Sequence, residues 1–202
     1  MSNQFNKITI IDIEATCWEK TSKKDYYEKS EIIEFGCALL DVKTGQILDN
    51  CSIYVKPTWE WNQKLSDFCI NLTGITDDHL KKQGKFFESA IIELKNRFFT
   101  SKTWMSWGAY DKRFLRRKFE QFDLSFPFKD GMHINAKNLF TLMSRKLTRS
   151  VGMKKAMEML NLELEGWHHS GKDDAYNIAK IVRKILWEDK DILVNSKGMD
   201  TK

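Results

Sequence analysis

Two prolines among 202 residues leave no room for a proline-rich linker, and neither an internal repeat nor a low-complexity tract divides the chain. One domain over residues 1–188 is therefore expected, with a polar C-terminal tail over 189–202. No apolar run approaches the roughly 20 residues that span a bilayer. The opening Met-Ser-Asn-Gln-Phe-Asn-Lys also lacks the apolar segment of a secretory signal, so a cytoplasmic protein with no membrane partner is expected. Cysteine is sparse. Cys17, Cys37, Cys51 and Cys69 stand singly in apolar surroundings, with no Cys-x-x-Cys pair and no histidine at zinc-finger spacing, which favours buried free thiols over a structural zinc site. Charge of one sign is nearly balanced by the other: a net +5 allows a polyanionic partner without requiring one. What the chain has in quantity is aromatic residues, 13 Phe and 7 Trp, enough for a well-packed core.

The stretch Ile8-Thr9-Ile10-Ile11-Asp12-Ile13-Glu14-Ala15-Thr16-Cys17 reads as a strand covered on both faces, because it is apolar and β-branched until two acids appear near its end. Side chains alternate along a strand, so Asp12 and Glu14 share one face with Ile8 and Ile10 behind them. Two desolvated carboxylates that close repel each other, and a divalent cation is the simplest remedy. The competing reading is that both acids lie at a solvated strand end and pair with Lys20, Lys23 and Lys24.

Downstream, residues 31–41 and 46–56 read as strands joined by a tight turn at Val42-Lys43-Thr44-Gly45, forming an antiparallel meander against the first strand. Residues 65–72 form a short helix closed by Gly74, and Thr76 caps the next piece. A helix over 86–99, a strand over 103–107 and a helix over 110–122 give the order of a parallel crossover. A short strand over 132–135 and helices over 136–145, 152–160 and 172–188 complete the pattern.

Two of these helices carry acids toward the interior. Asp111 lies on the side of its helix that bears Phe114 and Leu115, although an acid in a first helical turn is also favoured by the dipole alone. Asp174 shares a stripe with Ile178, Ile181, Val182 and Ile185, whereas its neighbour Asp173 shares one with Asn177, Lys180 and Lys184. Dipole compensation explains an acid in that turn but not its place on the apolar stripe. His169 stands five residues before Asp174 in a glycine-bracketed loop, with an ordinary pKa suited to accepting a proton at neutral pH; His168 is its competitor.

These residues carry a resemblance. Asp12-x-Glu14 after an apolar strand, Asp111 within Trp107-Gly108-Ala109-Tyr110-Asp111, and His169-x-x-x-x-Asp174 resemble, in order and spacing, the three motifs of the DEDDh 3′-5′ exonucleases. Asp12-Ile13-Glu14-Ala15-Thr16-Cys17, Leu65-Ser66-Asp67-Phe68-Cys69 and Leu72-Thr73-Gly74-Ile75-Thr76 bring the likeness closest to the histone-mRNA 3′-exonuclease and KapD-like branch, over about residues 5–188.

The resemblance implies an α/β, RNase H-like fold with a mixed five-stranded sheet flanked by helices. It implies a two-metal hydrolase using Mg²⁺ or Mn²⁺ held by Asp12, Glu14, Asp111 and Asp174, with His169 as general base. By similarity, Glu14, Ala15, Thr16, Leu65 and Phe68 would meet the terminal nucleotide of a single-stranded nucleic acid, RNA rather than DNA. Two other readings stay open at this point: a non-catalytic nucleic-acid-binding adaptor with the same fold, and a DNA-directed exonuclease.

Overall fold

The computed structural model describes residues 7–20, 22, 26, 28–98, 103–126, 132–144 and 147–188. The expected tail over 189–202, and Lys23 and Lys24, lie outside the described residues. The N-terminal apolar run is the central strand β1 (Lys7–Ala15) of a five-stranded sheet. Strands β2 (Ile32–Asp41) and β3 (Ile47–Tyr54) extend it antiparallel on one side, and β4 (Thr103–Ser106) and β5 (Met132–Asn135) extend it parallel on the other. The order β3-β2-β1-β4-β5 makes this the mixed sheet, flanked by helices, that the motifs imply.

Alternation along β1 sorts the core into two layers. Ile11, Ile13 and Ala15 pack with Phe35, Cys37 and Leu39 against α3 (Phe87–Phe98) and α4 (Tyr110–Gln121), whose inner residues include Leu94, Phe98, Phe114 and Phe119. Ile8 and Ile10 pack with Ala38, Leu40 and Met105 on the other face, against α5 (Ala136–Met143), α6 (Met153–Met159) and α7 (Gly171–Arg183). The last helix continues as a π turn over Lys184–Glu188. A third, smaller cluster of Cys17, Ile33, Leu65, Cys69, Ile75 and Leu80 seats α1 (Asp67–Thr73) and α2 (Asp77–Gln83) beyond the C-terminal end of β1. All four thiols are free.

Two features of this packing shape that end of the sheet. The parallel partners β1 and β4 pair only at Thr9↔Trp104 and Ile10↔Met105, so past Ile10 the backbone of β1 has no strand on that side. This is where antiparallel and parallel neighbours of one strand diverge, the usual place for a ligand in an open α/β sheet. On the other side, α7 crosses β2 at Gly36. A Cβ there would lie 1.7 Å from the carbonyl carbon of Gly171, so only glycine lets the helix start directly over the sheet.

Candidate active site

Asp12 and Glu14 continue the stripe of Ile8 and Ile10, so they face the layer that holds α7. Asp174, in the first turn of α7, faces back at them. Oxygens of these three residues lie within 4.8 Å of one another. Asp174 is buried, and Glu14 is 9% exposed. Asp111, also buried, comes from α4 across the open side of β1, where its Oδ1 accepts the backbone N–H of Ile13 at 3.3 Å. That N–H is one of those left without a strand partner, and the carboxylate takes its place. Asp111 therefore stands beside the three-acid cluster rather than within it.

The electrostatics follow from this crowding. Burial, then the charges of Asp111, Glu14, Asp174 and Glu34, pushes the Asp12 carboxyl well above its ordinary range. Burial, then Glu34 and Asp174, lifts Glu14 to about 9. Burial raises Asp111 to about 6 against hydrogen bonds from its own N–H, that of Ile13 and the Ser106 hydroxyl. Asp174 is raised by burial despite hydrogen bonds from both histidines. Among the described residues no lysine or arginine is paired with Asp12 or Glu14, and the competing reading of a lysine-neutralised strand end finds no support from Lys20.

The two histidines divide their contacts with Asp174. His169 donates its backbone N–H to Asp174 Oδ2 at 3.0 Å, while the ring that meets the carboxylate belongs to His168, with Nδ1 3.1 and 3.2 Å from the two oxygens. The rings stack with centroids 4.1 Å apart, and the His169 imidazole has no hydrogen bond to Asp174. Its pKa is lowered by burial and then by the neighbouring His168, below the ordinary value expected for a free loop histidine. The ring is thus kept neutral, the form that accepts a proton.

The remaining predicted residues fall into two groups. Thr16 is buried, and its hydroxyl accepts the N–H of Glu31 at 3.0 Å. Ala15 and Leu65 are also buried, Leu65 within the third cluster. Phe68 is 41% exposed, so of these side chains it is the one free to meet a ligand. Ser66, which caps α1, donates its hydroxyl to the carbonyl of Cys17 at 2.6 Å, and this fixes the helix carrying Phe68 to the end of β1.

A fifth acid escaped the sequence reading. Glu34 pairs across strands with Glu14 and is buried. It accepts the backbone N–H of Gly171 at 3.0 Å and of Lys172 at 3.2 Å, and the Ser52 hydroxyl at 2.6 Å. Ser170, at the N-cap of α7, makes no side-chain cap, so Glu34 does that work from another strand and locks the helix bearing Asp174 onto the sheet. The signal was present: an acid inside the apolar run Ile32-Ile33-Glu34-Phe35 is the pattern that marked Asp12.

A model of the RNase_T family, described as Exonuclease, matches residues 9–182. The chain is 30% identical over 204 residues to 3′-5′ exoribonuclease 1 of Rattus norvegicus, covering 98% of this chain and 58% of the relative. To the Homo sapiens protein of that name it is 31% identical over 200 residues, covering 96% and 56%. The chain thus spans little more than half the length of these curated relatives. Among solved structures, the nuclease domain of 3′hExo, a DEDDh family member bound to rAMP, superposes with a TM-score of 0.77 at 31% identity, covering 92% of this chain and 94% of that one. The structure of 3′-end recognition of a histone mRNA stem-loop by 3′-exonuclease superposes with a TM-score of 0.78 at 30% identity, covering 90% and 63%.

Proposed function

The chain belongs to the Exonuclease family, in its DEDDh group, and on that premise we propose that it removes nucleoside 5′-monophosphates from single-stranded 3′ ends, RNA in preference to DNA. DEDDh exonucleases depend on divalent metal, and the residues here fit one: Asp12, Glu14 and Asp174 offer only carboxylate oxygens, and their raised pKa values mark a site short of positive charge. Mg²⁺ or Mn²⁺, as two ions, suits such hard donors. Asp12, Glu14 and Asp174 would hold the metal, with Asp111 acting through intervening water. When bound, the ions supply charge stabilisation for the attacking and leaving oxygens.

The chain's own residues do the rest. His169, neutral at physiological pH, takes the proton of the attacking water. Asp174 receives the His169 N–H and so holds the histidine loop against the carboxylates. The end of β1, from Glu14 to Thr16, with Leu65 beneath it and the exposed Phe68 beside it, forms a wall for the terminal nucleotide, and an aromatic face accepts any base by stacking. The preference for RNA is supported by the exoribonuclease activity for which the relatives are named and by the rAMP bound to the 3′hExo nuclease domain.

The observation that carries this reading is the convergence of three carboxylates from β1 and α7, with no basic side chain between them among the described residues. The test is release of mononucleotides from a labelled single-stranded RNA in Mg²⁺ or Mn²⁺. Asp12→Ala and His169→Ala should each lose most turnover, matched DNA should be cut more slowly, and equal rates in all three proteins would refute the mechanism.

A further inference from the structure

The carboxylate cluster shares Asp174 with a second set of ligand atoms. One atom each of His168, His169 and Asp174 also lie within 4.8 Å of one another. We propose that these three residues form a site for a borderline transition-metal ion of the Zn²⁺ class, and that filling it shuts down the carboxylate site. The inhibitory half of this proposal rests on the nuclease reading; the binding half does not.

The donor set argues for the ion. Two imidazole nitrogens and one carboxylate oxygen, with a position left for water, suit Zn²⁺ far better than Mg²⁺, whereas the all-oxygen set on the other side of Asp174 has the opposite preference. The geometry is close to ready. Two ligands on one tetrahedral ion with bonds of ~2.0–2.1 Å stand ~3.3 Å apart, and His168 Nδ1 is 3.1 Å from Asp174 Oδ2.

The backbone accounts for the pairing. Neighbouring side chains in an extended chain point to opposite sides, but His169 adopts φ 71°, which brings the two rings face to face at 4.1 Å and 22°. A non-glycine residue in that conformation is uncommon. Access is provided as well: both histidines line an open cavity of about 370 Å³ between Leu72 of α1 and the 164–169 loop, and the His168 side chain is 40% exposed. An ion held here would occupy the lone pair with which His169 takes a proton and would withdraw Asp174 from Asp12 and Glu14.

The experiment titrates Zn²⁺ into the metal-free chain by calorimetry and follows Co²⁺ by its visible absorption, without nucleic acid. Wild type should bind one ion with the intense absorption of a four-coordinate site, apart from any six-coordinate, weakly absorbing ions taken by the carboxylates. His168→Ala, His168→Gln and His169→Ala should each weaken Zn²⁺ by more than about tenfold, while Asp12→Asn leaves it unchanged. In Mg²⁺-supported turnover, Zn²⁺ should inhibit wild type, and His168→Gln should lose that sensitivity relative to its own zinc-free rate. Zn²⁺ binding that is equal in wild type and both His168 variants, or that Asp12→Asn weakens as much as they do, overturns the site. An inactive chain that binds Zn²⁺ through its histidines would sink the nuclease reading alone; an active chain without histidine-dependent binding would sink this site alone.

Discussion

Without metal, stability should fall as pH rises from 6.5 to 8, with Glu14 and Asp12 the causes. The folded pKa of Glu14, about 9, lies above the usual 4.5, so the folded chain holds a proton there that the unfolded chain releases. The sign follows from linkage: this stabilisation is complete below pH 4.5 and is lost as pH climbs through about 9. Asp12, also raised by burial and its neighbouring charges, adds to Glu14 with the same sign, and the window keeps two opposing groups out. His133, lowered to about 4 by burial and then Lys112, changes stability with the opposite slope only below its ordinary 6.5, and Lys118, lowered to about 8, does so only above that value. Between these limits each such group contributes about 1.36 kcal/mol per pH unit, so Glu14 alone accounts for about 2 kcal/mol over 1.5 units. For a chain of this size that lowers Tm by about 4–8 °C. Thermal unfolding in chelator at several pH values measures it, and Glu14→Gln should flatten the slope. Millimolar Mg²⁺ should raise Tm more at pH 8 than at 6.5, because the ion binds the ionised carboxylates. A slope in Glu14→Gln equal to that of wild type would refute the reasoning.

Other outcomes follow from the packing around α7 and α4. Gly36→Ala puts a methyl group 1.7 Å from the Gly171 carbonyl carbon; it should cost about 3 kcal/mol, at the upper end for overpacking, and slow nucleotide release, both read from melting and turnover of one preparation. Glu34→Ala strands the Gly171 and Lys172 N–H groups; despite removing a buried charge it should lower Tm by the equivalent of about 2 kcal/mol, and a higher Tm would show that repulsion with Glu14 dominates. Lys118 is 1% exposed and packed over Trp59 and Phe114. Its charged form is penalised by about 3 kcal/mol through the drop from 10.5 to about 8, burial outweighing the attraction of Glu31; Lys118→Met, which also gives up the hydrogen bond to Gln121 at 2.9 Å, should raise Tm at pH 7 by a few degrees.

Periodicity made most of this legible. Alternation in β1 placed Asp12 and Glu14 on one face, and the stripe of Ile178, Ile181, Val182 and Ile185 singled out Asp174 from Asp173, whose carboxylate instead accepts the N–H of Trp167 at 2.9 Å. What periodicity cannot carry is the path of a loop. The φ of 71° at His169 decides which ring meets Asp174, and no spacing rule contains it. The polar stripe of α7 was legible as polar but not as buried: Asn177 exchanges two hydrogen bonds with the backbone of Glu165, and Lys180 donates to the carbonyl of Glu163, so the stripe anchors the histidine loop instead of facing solvent. Glu34 was visible as an acid among apolar neighbours, but its partners come from 137 and 138 residues away, and only the fold brings them together.

The claim beneath all of this is that β1 and α7 deliver carboxylates to one point because cations occupy it. Anomalous scattering from crystals soaked in Mn²⁺ reads that point directly. A peak bounded by Asp12, Glu14 and Asp174, lost in Asp12→Asn, is the predicted result; no peak there in a chain that still releases nucleotides from a 3′ end would contradict it.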